Sequence, residues 1–137
     1  MAAATGCGTT DDSENEPDPL FAQAARARAD ASTATALVAL TPDLAEPLTT
    51  ISSERTAHAD ALEAEIARAA GATTSYTPPP STTSTIGETP TVELLRERLG
   101  QSQRGAADTG RTLQGYRAGM LASISAACAV QTAVLLP

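Results

Sequence analysis

A chain of 137 residues and 13.9 kDa leaves room for roughly one small domain once its polar segments are set aside. A net charge of −7 and a pI near 4.5 argue against nucleic acid as a partner and against an electrostatic hold on anionic lipid. Aromatic residues are only 2% of a chain rich in alanine, so its core must come from helices packed closely through small side chains.

Ala4-Thr5-Gly6-Cys7 reads as the tail of a bacterial lipoprotein signal, with Cys7 as the residue to be lipidated. Only Met1-Ala2-Ala3 precedes it, whereas a signal needs a charged segment and an apolar run of roughly 7–15 residues. The reading therefore expects a start upstream of Met1. Gly8 to Pro17 is polar and acidic without apolar anchors, as a disordered tether would be. Residues 1–17 are thus assigned to a signal remnant plus tether. The expected location is the extracytoplasmic face of a cell membrane, held there by the lipid on Cys7.

Asp18 before Pro19 gives a cap followed by proline at the first helical position, where its missing N–H costs nothing. Leu20, Ala24, Ala27, Ala31, Ala34 and Val38 then recur at steps of four and three, one face of a helix ending near Leu40. Thr41-Pro42 repeats the signal, with a kink expected at Pro47. Leu48, Ile51, Arg55, His58, Leu62, Ile66 and Ala69 carry the second stripe, and Gly71 is placed to stop the helix. Residues 18–71 form hairpin one. Residues 72–89 are rich in Thr, Ser and Pro, with Pro78-Pro79-Pro80 at their centre, and read as a flexible linker.

Thr89-Pro90 repeats the cap and proline. Val92, Leu95, Leu99, Ser102, Ala106, Thr109 and Leu113 hold heptad spacing, and Gly115 with Tyr116 marks a turn. Leu121, Ile124, Cys128, Gln131 and Leu135 form the fourth stripe, so residues 90–137 make hairpin two. The run from Met120 to Leu136 is diluted by Ser123, Ser125, Gln131 and Thr132, and reads as a core helix, not a membrane span. Four helices of about 21–24 residues would be about 32–36 Å long. The linker, at roughly 18 residues, reaches about 60 Å when extended and can cross such a bundle end to end. The expected fold is all-α: an antiparallel four-helix bundle of two hairpins joined by a crossover, one domain over residues 18–137.

This pattern resembles the ferritin-like domain family of uncharacterised actinobacterial proteins, including alanine-rich lipoproteins of the mycobacterial type. The resemblance is carried by Glu54-Arg55-Thr56-Ala57-His58-Ala59-Asp60-Ala61-Leu62 and by Tyr116-Arg117-Ala118-Gly119-Met120-Leu121-Ala122-Ser123-Ile124-Ser125-Ala126-Ala127. It covers roughly Asp18 to Leu136 and implies a ferritin-like bundle on an envelope protein, with no reaction attached.

Glu54 and His58 are four apart, hence on one helical face with Ile51 and Leu62, and are the candidate half of a metal site. Di-iron bundles instead place glutamate and histidine three apart on two helices, and no second histidine exists here. The other helices offer Asp30, Glu93, Glu97, Cys128 and Gln131, so no resident metal or cofactor is expected. The plainer expectation is His58 bonded to a carboxylate or hydroxyl and Glu54 paired with an arginine. Arg55 and Arg117 fall within the stripes and can reach Glu54 or other carboxylates. Arg26, Arg28, Arg96, Glu97, Arg98, Arg104 and Arg111 read as solvated faces.

Ser123 and Ser125 have no acid–base partner, and Cys128 sits among alanines as a packed thiol. Gly100, Gly105, Gly110, Gly115 and Gly119 are expected to let helices three and four approach closely. The functional expectation is a non-enzymatic, membrane-anchored envelope lipoprotein that works through an unknown protein partner. The alternative is a bundle binding a metal or small ligand through Glu54 and His58.

Overall fold

A computed structural model describes residues 17–71 and 88–136; Cys7, the tether and most of the linker lie outside the described residues. Four α-helices are present, with no strand among the described residues: α1 (Leu20–Leu40), α2 (Ala45–Ala69), α3 (Val92–Thr112) and α4 (Gly115–Val130). A 3-10 turn, Pro42–Leu44, leads into α2, and α4 runs on through a π-helical turn, Gln131–Leu135.

Each boundary has a local cause. At α1 the Leu20 N–H donates to Asp18 Oδ1 at 3.0 Å, satisfying one orphan donor of the first turn. Gly71, at φ +83°, ends α2 in the left-handed region that a side chain disfavours. Two starts differ from expectation. Pro42 opens the 3-10 turn and α2 begins at Ala45, so Pro47 falls in a first turn whose N–H groups have no intrahelical partner anyway. At α3 the cap is Thr91, two residues past Thr89: its hydroxyl accepts the Leu94 N–H at 3.1 Å.

Helix pairs are joined in a consistent order. From α1 to α2, Arg28 meets Asp60 and Glu63, Asp30 meets Arg55, and Thr35 meets Ser52. From α1 to α3, Gln23 meets Thr109, Asp30 meets Ser102, and Thr33 meets Arg98. From α2 to α4, Glu65 meets Arg117 and Glu54 meets Gln131. In every case partner numbers fall along one element as they rise along the other.

The apolar core is divided in two. Leu20, Ala24, Leu62, Ile66, Leu121 and Ile124 with their neighbours fill the end where α1 begins. Ala34, Leu37, Leu48, Ile51, Leu95, Leu99 and Leu136 fill the other. Asp30, Arg55 and Ser102, all buried, lie in sequence between the two sets. Alanines at 27 and 34 are fully buried, as close packing through small residues requires.

The glycines act differently from expectation. A Cβ on Gly110 would sit 3.4 Å from Leu121 Cβ, so here α3 and α4 do approach closely. Gly105 instead faces Gln23 and Arg26 of α1, while Gly119 and Gly115 have nothing within 4 Å. Gly115, at φ +60°, makes the turn into α4.

The expected core helix is only partly that. Over its most apolar window α4 with its π-turn has a mean hydropathy of 1.6, yet just 22% of that window is buried. By length and composition alone it would cross a membrane. Leu121, Ile124, Cys128 and Gln131 pack inward; the opposite side is apolar too.

Candidate functional site

The centre of the bundle gathers polar side chains from all four helices. Asp30 on α1 and Arg55 on α2 are 2% and 1% exposed and form an ion pair of 3.0 Å. Arg55 Nε also donates to Asp30 Oδ2 at 3.2 Å, and Ser102 Oγ on α3 donates to the same oxygen at 2.7 Å. Taking a carboxylate and a guanidinium out of water is costly unless each finds such partners. Burial pushes the Asp30 carboxyl above its usual value, while Ser102 and Arg55 pull it back.

His58 sits half-buried one turn from Arg55, whose Nη1 lies 3.1 Å from His58 Nδ1. A guanidinium has no acceptor, so Arg55 donates and Nδ1 accepts; the ring is neutral with its proton on Nε2. Burial and the Arg55 charge both hold the imidazole below its usual pKa, against a smaller pull from Glu54. The same contact occupies one of the two ring nitrogens through which an imidazole can ligate a cation.

Glu54 does not share this pocket. It is exposed, and its Oε2 accepts from Gln131 Nε2 at 2.8 Å. Thus the pairing expected for Glu54 with an arginine, and for His58 with a carboxylate or hydroxyl, is replaced by Gln131 and Arg55. Among the described residues, no three His, Cys, Asp or Glu side chains converge as a metal cage would. Gln131 is fully buried, and its Oε1 has no hydrogen-bond partner among the described residues.

Cys128 is fully buried, and its nearest charges are Arg55 and Asp30, not only the alanines of its own helix. Burial nevertheless dominates and raises the thiol pKa, the opposite of what a nucleophile needs.

Outside the centre, a second network ties the end where α1 begins. Arg117 on α4 donates to Asp18 Oδ2 at 2.7 Å and to Glu65 Oε1 at 2.9 Å, and Arg68 donates twice to Glu65 at 2.7 Å. Those two guanidinium groups pull the Glu65 carboxyl down to about 2. Of the arginines expected on solvated faces, Arg28 clamps Asp60 and Glu63, and Arg98 reaches Thr33 Oγ1 at 2.9 Å.

The outer side of α4 offers the other candidate surface. Gly119, Ala122, Ser123, Ala126, Val130, Ala133 and Val134 are exposed, spaced by three and four. No residue from Ala118 to Leu136 carries a charge. Among the described residues, three of the four large exposed apolar side chains belong to α4 and its π-turn: Tyr116, Val130 and Val134. A shallow groove of about 590 Å³ runs along the seam with α3, past Gly110, Ala118, Ala122, Ala126 and Ala129. No family model, curated protein or solved structure matches the chain.

Proposed function

We propose that this chain is a non-enzymatic envelope lipoprotein, held at the outer face of a membrane by a lipid on Cys7 and working through protein contacts. The observation that carries the reading is the uncharged, exposed side of α4. Contiguous apolar surface of this kind on an otherwise polar molecule is where partners dock. The ion-pair networks support the same reading from the other direction. Their arginines and carboxylates are committed to one another, so they fix helix register and leave the outside to do the work.

The finer fold reading belongs to this proposal. The falling partner numbers support an antiparallel arrangement of neighbouring helices, with α2 and α3 parallel across a diagonal. A linker over residues 72–89 must then travel the length of the bundle, as in ferritin-like crossovers.

A tagged fatty acid fed to the native host, with the gene and its upstream DNA, tests the anchor. Label on the wild type and none on Cys7→Ala is the expected result; no label on either overturns the anchor. Metal analysis of the same protein tests the alternative role of Glu54 and His58. Stoichiometric metal lost on His58→Ala would replace the contact reading with a binding one.

A further inference from the structure

We infer that the outer side of α4 docks on α4 of a second copy, the two helices antiparallel about a two-fold axis at Ala126. The inference deepens the contact reading above and rests on it. Sequence spacing about Ala126 is self-complementary. With Ala126 opposite its own copy, Val130 of one chain faces Ala122 of the other, four residues either side of the axis. Val134 likewise faces Ala118, and Ala133 faces Gly119. Both exposed valines therefore meet small residues, the condition for two helices to interdigitate at close range.

Area favours this occupant, and the charge pattern of the face permits it. The 21 residues from Gly115 to Leu135 make a helix about 31 Å long. A strip two helices wide, α4 plus the α3 seam with Gln103 and the exposed Arg111 as its polar rim, offers about 600 Å² per copy, or about 1,200 Å² in all, the lower bound for a specific interface. A net charge of −7 makes two copies repel at long range, so a self-interface must add no like-charge contacts of its own, and α4 from Ala118 onward, which carries no charge, adds none. The same net charge repels an anionic bilayer, which has no matching neutral patch to offer.

Sedimentation of the full chain carrying Cys7→Ser, across the micromolar range, tests the inference. The expected result is a dimer, weakened about a hundredfold by Ala126→Glu, which sets two carboxylates against each other at the axis. Ala122→Glu, facing Val130 of the other copy, should weaken it similarly, and Ala36→Glu on exposed α1 surface should not. Unchanged helical circular dichroism in these variants excludes unfolding as the cause, because all three positions are exposed. A wild type monomeric throughout, or a dimer indifferent to both α4 substitutions, overturns the inference. So does a monomer that floats with neutral phosphatidylcholine vesicles, which would assign the face to lipid. A monomer that still takes the fatty-acid label sinks only this inference, whereas an unlabelled dimer sinks the anchor and leaves the interface.

Discussion

Arg55 is the largest fully buried side chain, and its charge has one carboxylate to answer it. Arg55→Met should therefore cost about 3–5 kcal/mol, because Asp30 is left buried without a counter-charge. Urea denaturation reads the loss directly. The deficit should shrink as pH falls, since Asp30 can then take up a proton in place of its partner. The double variant Asp30→Val, Arg55→Met should return to within about 1 kcal/mol of wild type, or exceed it. A double variant as weak as the single one would show that the pair does more than neutralise itself.

His58 gives a second prediction at the same scale. Its folded pKa lies below the ordinary 6.5, so between the two values the unfolded chain binds a proton that the folded chain refuses. Stability is full above that window and is lost as pH falls through it. The urea midpoint should drop as pH is lowered through 6.5, and the drop should be smaller in His58→Gln. Glu65 works in the same direction lower down: its stabilising pairs with Arg68 and Arg117 persist until pH approaches about 2.

At the scale of elements, the caps separate neighbouring residues of like chemistry. Thr91→Ala should cost about 1 kcal/mol, by loss of its bond to the Leu94 N–H. Thr89→Ala should cost almost nothing, and paired thermal melts decide between them. From the residues alone the two threonines are hard to rank, because Thr89 has a proline after it and Thr91 only an apolar residue. The helices themselves were legible: Leu48, Ile51, Leu62, Leu95, Leu99, Leu121 and Ile124, all named in the stripes, are buried. On α1 the expected Leu20, Ala24, Ala27, Ala31 and Ala34 are buried too; what was not legible is how far the inward face extends beyond them, to Gln23, Asp30, Thr33 and Leu37. Gln23, Ala27, Asp30, Ala34 and Leu37 hold heptad spacing as well as the expected set, and in so alanine-rich a helix apolarity does not mark where the face ends. Asp30 was thereby missed as the partner of Arg55, and Glu65 was hidden in the same way beside Ile66. The signal was present as charge: an aspartate on α1 and an arginine on α2, each at a core spacing.

For the whole molecule, the interior and the exterior of the bundle divide the work. A buried pair at the centre and a half-buried one at the Asp18 end bind the helices into one register. Among the described residues, the outside carries scattered charge on every helix, but α4 carries none from Ala118 onward. On the reading proposed above, the molecule acts through that face and is held in place by a lipid on Cys7. A photoreactive residue at Val130 in the anchored full chain, irradiated in cells, tests both together. The account predicts an adduct of twice the chain mass in the membrane fraction, absent when the probe is at Ala36 and gone from that fraction in Cys7→Ala. No adduct at 130, or equal adducts at 130 and 36, would contradict it.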